Sequence, residues 1–591
     1  MVNRKYIAGM NGIRTLAVLG VIFYHLLPNK MPGGYLGVPL FFVISGYLMT
    51  TSVRKRREKS GDIELKQLYL RRLRRLLPPL VFFLFICGAV LPFIDRSLMR
   101  NFREIVASSL LFVNNWWQLF NGESYFDRFT GASPFSHLWY LSIEGQFYLV
   151  WLFLLKLYYR VADDDKLLAK IISIGIVLSA ATMAVFYTPA NVNIVYFGTF
   201  SRVFSLLLGA LLSVVLSIYR TELEKVSRYT GFFAAGACLM IILVCFFHVR
   251  DTSAIVYRGG MLVFSLIAAL LVGTVIQFPD VDRLMSNPLF AWCGSRSYEI
   301  YLWQFPVMIV YETLVHQDGS HLVLHTVVQL SVILLISEVS YRIVQRTVYL
   351  SGLTFSKDGL SKLWHHKAAL FAVMLLGISF VAGFIQAPSG KNQAANDLQR
   401  LLEKNQKALN KESSAQKEKS AVKKMTPAEL EAAKKISLTG FGDSILLSAA
   451  PSIQEIFPNS YIDAEVGRQL FESIEDFEKL KKEQTFGDVI LVVLGANGSF
   501  SAKDMDNLMN VADGKPVFFV NTTVNRKWQK SVNTELAKTA KRFDNAHLID
   551  WKTYSQHHDD WFEEDDIHMN HTGAGYFAEY VAQLIIKELK K

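Results

Sequence analysis

"LTGFGDSILL", residues 438–447, runs from an apolar strand-like segment through Gly-Asp-Ser into a helical pattern. A serine at that junction sits at a helix N-terminus, where free backbone N–H groups and the helix dipole favour an oxyanion. The surroundings decide the fold. "ISLTG" (436–440), "DVILVVLG" (488–495), "PVFFVN" (516–521) and "AHLID" (546–550) read as short buried strands. Amphipathic helical runs, 463–482 and 572–589, separate or follow them. Alternating strand and helix predicts a parallel sheet covered on both faces, an α/β three-layer domain over residues 436–591.

Three further pieces of that domain carry chemistry. In "DDIHMNHTG" (565–573), Asp565 stands three residues before His568, so the carboxylate can orient an imidazole that takes a proton from Ser444. In "VVLGANG" (492–498), a strand ends at Gly495 and Asn497, whose side-chain amide can donate to an oxyanion. Gly467 in "DAEVGRQ" (463–469) offers a backbone N–H for the same purpose.

The rest of the chain is built for a different solvent. The protein has 591 residues, 51% of them hydrophobic, with 42 Phe and 24 Tyr, and the apolar residues concentrate in 7–386. A bilayer crossing needs about 20 apolar residues in a helix. Eleven such stretches fall near 8–28, 35–53, 76–95, 138–158, 168–188, 199–218, 230–248, 258–277, 297–315, 322–341 and 367–387. The fold expected is therefore a polytopic α-helical membrane bundle of about 11 spans, followed by the α/β domain. The boundaries expected are 1–350 for the main membrane domain, 351–387 for a cytoplasmic loop and the last span, and 388–435 for a lysine-rich linker.

The net charge of +11 follows topology. Basic residues cluster where apolar runs end, at 54–59 and at Arg71, Arg72, Arg74 and Arg75, which marks a cytoplasmic loop. The N-terminus is then cytoplasmic, and an odd number of spans puts the C-terminal domain outside the cell membrane. No zinc-finger, Walker or dinucleotide pattern appears, so neither nucleic acid nor a metal is expected. The cysteines, Cys87, Cys238, Cys245 and Cys293, all lie in apolar stretches and read as small core residues.

Polar residues interrupt the spans. Arg14 and His25 are eleven residues apart on the first, close to three helical turns, so they share a face about 16 Å apart along the axis. "SPFSHLWYLSIEGQFYLVW" (133–151) brings His137 and Glu144, "YFGTFSRVFSLLLGA" (196–210) brings Arg202, and "SYEIYLWQFP" (297–306) brings Tyr298 and Glu299. Ionisable groups inside a bilayer need partners or a polar path.

Five stretches in order, the Arg14–His25 spacing, "GVPLFFVISGY" (37–47), "YLRRLRRLLPP" (69–79), "SHLWYLSIEGQFY" (136–148) and "SYEIYLWQFP", resemble the membrane acyltransferase-3 family. That resemblance implies movement of acyl groups, usually acetyl, from cytosolic acetyl-CoA to glycans outside, with no permanently bound cofactor. It maps the family's essential pair onto Arg14 and His25. His25 could act as a general base or hold the acyl group. Arg14 could bind the donor or stabilise a developing negative charge. Arg71, Arg72, Arg74 and Arg75 could dock coenzyme A phosphates. Pro39 and Gln304 depart from residues common in the family, so neither takes a role by analogy.

The four C-terminal pieces resemble the blocks of the SGNH hydrolase superfamily. Gly498 stands where that superfamily often has Asp. The fusion is similar to peptidoglycan O-acetyltransferases, which implies a Ser444 acyl-enzyme, the muramoyl 6-hydroxyl as acceptor, and lysozyme resistance as the result. Alternatives are another envelope glycan (N-acetylglucosamine, teichoic acid or exopolysaccharide), an outer-face acetyl esterase on a membrane anchor, or a transporter with a glycan-binding module.

Overall fold

The computed structural model describes residues 7–27, 30–121, 133–188, 191–251, 253–315, 322–344, 367–388, 401–402, 404–406, 408–409, 425–470, 473–524, 528–563 and 565–590. The chain divides into two compact units, one ending at Gly390 and one running from Lys391 to Lys591, with a short excursion at 312–323 assigned to the second. The expected loop at 351–366 lies outside the described residues.

In the first unit, helices stand at every expected span. The chain opens with α1 (Gly9–Leu26), α2 (Gly37–Ser60) and α3 (Leu65–Ile94). Trp139–Val161, Asp165–Phe186, Thr199–Ile218, Arg228–His248, Met261–Gln277, Ser297–Leu314, Leu322–Val344 and Lys367–Gln386 follow. Eight described helices are long and apolar enough to cross a membrane. α1, Ser297–Leu314 and Lys367–Gln386 are not among the eight; Asn11, Arg14 and His25 dilute the first, Glu299, Gln304 and Glu312 the second, and the third counts only as a shorter apolar helix, Met374–Gln386. Peripheral helices turn Leu, Ile, Val and Phe outward, as at Leu178, Ile174, Val177 and Phe233. Lipid accepts such a surface and water does not. The unit is a multi-pass membrane bundle.

Its centre is close-packed through small residues. A Cβ on Gly46 would lie 1.9 Å from the Leu206 carbonyl oxygen, and one on Gly209 would lie 2.0 Å from that of Val43. α2 and Thr199–Ile218 thus meet backbone to backbone, the mode that holds helices together where no hydrophobic force distinguishes neighbour from lipid. Cys87, Cys238 and Cys293 are buried and Cys245 is half-buried, all as free thiols.

The second unit is a five-stranded parallel sheet: β1 (Leu438–Gly442), β2 (Ser460–Ala464), β3 (Val489–Val493), β4 (Val517–Val520) and β5 (Ala546–Ile549), in the order β2-β1-β3-β4-β5. Successive side chains alternate between two cores. Val489, Leu491 and Val493 of β3 join the core under helices Ser444–Ile456 and His571–Leu589. Ile490 and Val492 join the one under Ile474–Lys482, Ala502–Ala512 and Gln529–Arg542. This is the three-layer arrangement expected.

Two details differ from expectation. The predicted helix 463–482 is in fact the end of β2, a turn, and a shorter helix from Ile474. β2 is an edge strand with an alternating, half-exposed pattern, so its apolar signal is weak. The packed unit also reaches behind residue 436 into the expected linker. Leu402 is 7% exposed and belongs to the first core, and Asn405 Nδ2 donates to the Leu447 carbonyl at 3.0 Å. The reason lies in the helix: the residue four beyond Leu447 is Pro451, which has no N–H to give. Asn405 supplies the missing donor.

Candidate active site

The C-terminal ends of β1 and β3 lie side by side; Ser444 follows the first, Asn497 the second, and Asp565 and His568 come from the loop ahead of helix His571–Leu589. Gly442 permits the sharp exit from β1, because a Cβ there would meet Leu446 Cβ at 2.6 Å and the Val493 carbonyl oxygen at 2.7 Å. Asp443 then caps the next helix, accepting from Ile445 N at 2.9 Å, and Ser444 is the first helical residue. The other Asp443 oxygen accepts from Ala496 N at 3.3 Å, tying the β3 loop to the nucleophile's neighbour.

Ser444 Oγ lies 2.8 Å from His568 Nε2, and His568 Nδ1 lies 2.6 Å from Asp565 Oδ2. The second Asp565 oxygen accepts from His568 N at 2.9 Å and Ile567 N at 3.0 Å, so the carboxylate holds both the ring and its backbone. The loop is pinned by a bridge between Phe562 and Met569, by Glu563 N donating to His568 O at 2.8 Å, and by Asn570 N donating to Trp561 O at 3.0 Å. Ser444 is 3% and His568 6% exposed. A hydroxyl, an imidazole and a carboxylate in this chain can generate a nucleophile by proton transfer to Nε2.

The two carboxyl groups near the serine are set apart by their surroundings. Burial works to raise Asp565, but the hydrogen bond and charge of His568 and two amides hold it below the usual carboxylate range. For Asp443 burial wins, pushing its carboxyl up to about 6 despite the Ile445 and Ala496 amides and the charges of His568 and Arg468. A carboxyl raised from 3.8 favours the folded state when neutral, so that stability is fully present below pH 3.8 and is lost as pH rises through about 6. Asp443→Asn keeps a cap to Ile445 and removes the titration. We expect the stability difference, variant minus native, to move in the variant's favour between pH 4 and 7, by at most about 3 kcal/mol. Urea unfolding of residues 401–591 at several pH values reads this; a difference flat in pH contradicts it.

Asn497 is buried beside this arrangement, and its Nδ2 donates to the Arg468 carbonyl at 3.4 Å. Gly467 adopts φ +82° directly before Arg468.

In the membrane unit a cavity is lined by Arg14, Arg72 and Arg75 together with Glu144, Tyr148, Tyr298 and Tyr301. Glu144 accepts from Ser45 Oγ and from Tyr148 OH, and the Arg72 guanidinium lies 5.1 Å from the Tyr148 ring centre. Of the four arginines expected at the donor site, the structure brings Arg72 and Arg75 to the cavity lining; Arg71 and Arg74 are outside it. Residues 72 and 75, three apart on α3, are neighbours on one side of the helix.

His25, His137, Arg202 and Glu299 are also outside that lining. His25 packs edge-on to Phe305 at 5.0 Å, and His137 meets the same ring at 5.6 Å. The His137 ring lies 5.3 Å from that of Tyr301, whose hydroxyl donates to the His137 carbonyl at 2.6 Å. Tyr301 therefore belongs both to the cavity wall and to the aromatic column that reaches His25. Arg202 is 1% exposed and caged by Tyr196 at 4.6 Å, Trp139 at 5.7 Å and Phe42 at 5.9 Å. Glu299 is buried one residue from Tyr298, whose hydroxyl donates to the Leu76 carbonyl at 2.9 Å. Sequence reasoning missed Ser45, Tyr301 and Phe305; the spacing of 301 and 305, one helical turn, was the available signal.

A polytopic bundle with an arginine-lined cavity, joined to a parallel α/β unit with a Ser–His–Asp chain, defines a membrane-bound enzyme of the acyl-transfer class. Residues 7–342 match the family described as "Acyltransferase domain", and the chain belongs to that family. A full-length relative is the peptidoglycan O-acetyltransferase OatA of Listeria monocytogenes, 33% identical over 615 residues, with 98% of each chain covered. YrhL of Bacillus subtilis is 31% identical over 625 residues, again with 98% of each chain covered. Among solved structures, the C-terminal catalytic domain of Streptococcus pneumoniae OatA, carrying a methylsulfonyl adduct, aligns at 16% identity and a TM-score of 0.25, covering 26% of this chain and 95% of that one.

Proposed function

We propose that this protein transfers an acetyl group from cytosolic acetyl-CoA across the membrane and onto the muramoyl 6-hydroxyl of peptidoglycan, through an ester on Ser444. The observation that carries the reading is the hydrogen-bonded chain Ser444–His568–Asp565 on a unit fused to an acyltransferase bundle. Full-length similarity to a protein named for peptidoglycan O-acetylation supports the acceptor.

The N-terminus would face the cytoplasm and the C-terminal unit the wall. Arg14, Arg72 and Arg75 suit a donor bearing phosphates, since guanidinium groups pair with phosphate oxygens. His25, beyond Phe305, would receive or activate the acyl group on its way outward. At the C-terminal unit Ser444 Oγ attacks the acetyl carbonyl, His568 Nε2 takes the serine proton, and the Asn497 amide steadies the oxyanion. His568 returns the proton to the leaving group. In the second half the glycan hydroxyl replaces water, gives its proton to His568 and takes the acetyl group, and Ser444 is restored. Acetylated glycan would then resist lysozyme because the added group obstructs its cleft.

Mass spectrometry of wall muropeptides from cells with and without the intact gene tests this. Acetyl esters on the 6-carbon of muramoyl residues should disappear with the gene. Loss of acetyl from another polymer, with muropeptides unchanged, would replace the acceptor.

A further inference from the structure

Arg468 was not among the residues the sequence marked out, yet it ties the ends of β1 and β2 to Asn497 in the loop after β3. Its side chain is 6% exposed. Nη1 donates to the Asp463 carbonyl at 2.8 Å and to the Gly442 carbonyl at 3.3 Å, and Nη2 donates to Asp463 Oδ1 at 2.8 Å. The guanidinium carbon lies 4.5 Å from the Phe441 ring centre. One side chain thus clamps the ends of β1 and β2 two residues from Ser444. Its main chain does something else. The Arg468 carbonyl accepts from Asn497 Nδ2. An amide NH2 has two hydrogens, so fixing one on a carbonyl sets the plane of the group and leaves the other to donate elsewhere.

We propose that Arg468 is a positioning residue for acyl transfer: the anchored guanidinium fixes the carbonyl that orients the Asn497 amide toward the oxyanion. This rests on the Ser444 acyl-enzyme reading. A purely structural role would lower stability and leave the Asn497 contribution intact. A positioning role makes the effects of Arg468 and Asn497 overlap, because both act through one donor.

The test uses the full chain in detergent, assayed for cleavage of p-nitrophenyl acetate, with Ser444→Ala, Arg468→Lys, Asn497→Ala and the double variant. Lysine keeps the charge and cannot span the Asp463 and Gly442 acceptors in the same fork. Arg468→Lys should lower kcat about 10- to 100-fold with KM little changed, within the range for loss of an oxyanion donor. The double variant should be no slower than Asn497→Ala alone. Equal fold-losses for Arg468→Lys in the native and Asn497→Ala backgrounds overturn the inference, as does a rise in KM at unchanged kcat. Loss of cleavage in Ser444→Ala beside full cleavage in Arg468→Lys overturns it while leaving the acyl-enzyme reading standing. Retained cleavage in Ser444→Ala overturns both. If Arg468→Lys does not fold, Asp463→Asn loosens the same guanidinium from the other side and is read in the same cycle.

Discussion

Replacing Ser444 with alanine is expected to lower cleavage of a small activated acetyl ester by residues 401–591 by about 10⁴-fold, to a level set by whatever oxyanion donors remain. The expectation follows from how completely the hydroxyl is committed. It is buried, it lies 2.8 Å from one imidazole nitrogen, and the other nitrogen is held by a carboxylate. Without Oγ there is no atom to form the ester, and His568 can at best activate water. Asp565→Asn should also fall steeply, because an amide in place of the carboxylate no longer enforces the tautomer that leaves Nε2 free to accept. A Ser444→Ala protein that cleaves the ester at the native rate would remove the serine from the chemistry.

The second large effect is expected at the other end of the chain. His25→Ala in the intact protein should abolish glycan acetylation while leaving ester cleavage by the C-terminal unit at its native rate. His25 is the acid–base group nearest the last ring of the column Tyr301–His137–Phe305 that begins at the cationic cavity. In the proposed relay, removing it would interrupt delivery and leave the receiving serine intact. Ester-linked acetate released from purified wall by mild base is the readout, with the variant's membrane level measured beside it. Full acetylation in His25→Ala cells would take the first helix out of the reaction.

Much of this was legible in the sequence because the relevant signals are local. Span placement follows from runs of apolar residues, and the Ser444 and His568 contributions sit in short motifs at a strand end and ahead of the last helix. β2 was not legible. At the edge of the sheet only one face of Ser460–Ala464 is covered, so Tyr461 and Asp463 broke the apolar run that marks a buried strand. Nor could periodicity choose among Arg71, Arg72, Arg74 and Arg75, since topology asks only that the charges be on one side. Which of them reach the cavity depends on the rotation of α3 against its neighbours, a property of packing. Arg468 was hidden for the same reason: it joins the ends of β1 and β2 to the loop after β3, and no motif announces a carbonyl.

The bond from Asn405 to the carbonyl opposite Pro451 has a practical consequence for anyone recombining such proteins. A proline in a helix interior is tolerable here because a donor arrives from the lysine-rich stretch upstream, together with Leu402. The natural seam for a chimera therefore falls ahead of Leu402. A graft made at the first strand would couple a helix from one parent to a missing donor from the other, and the mismatch would lie in the very helix that presents the serine.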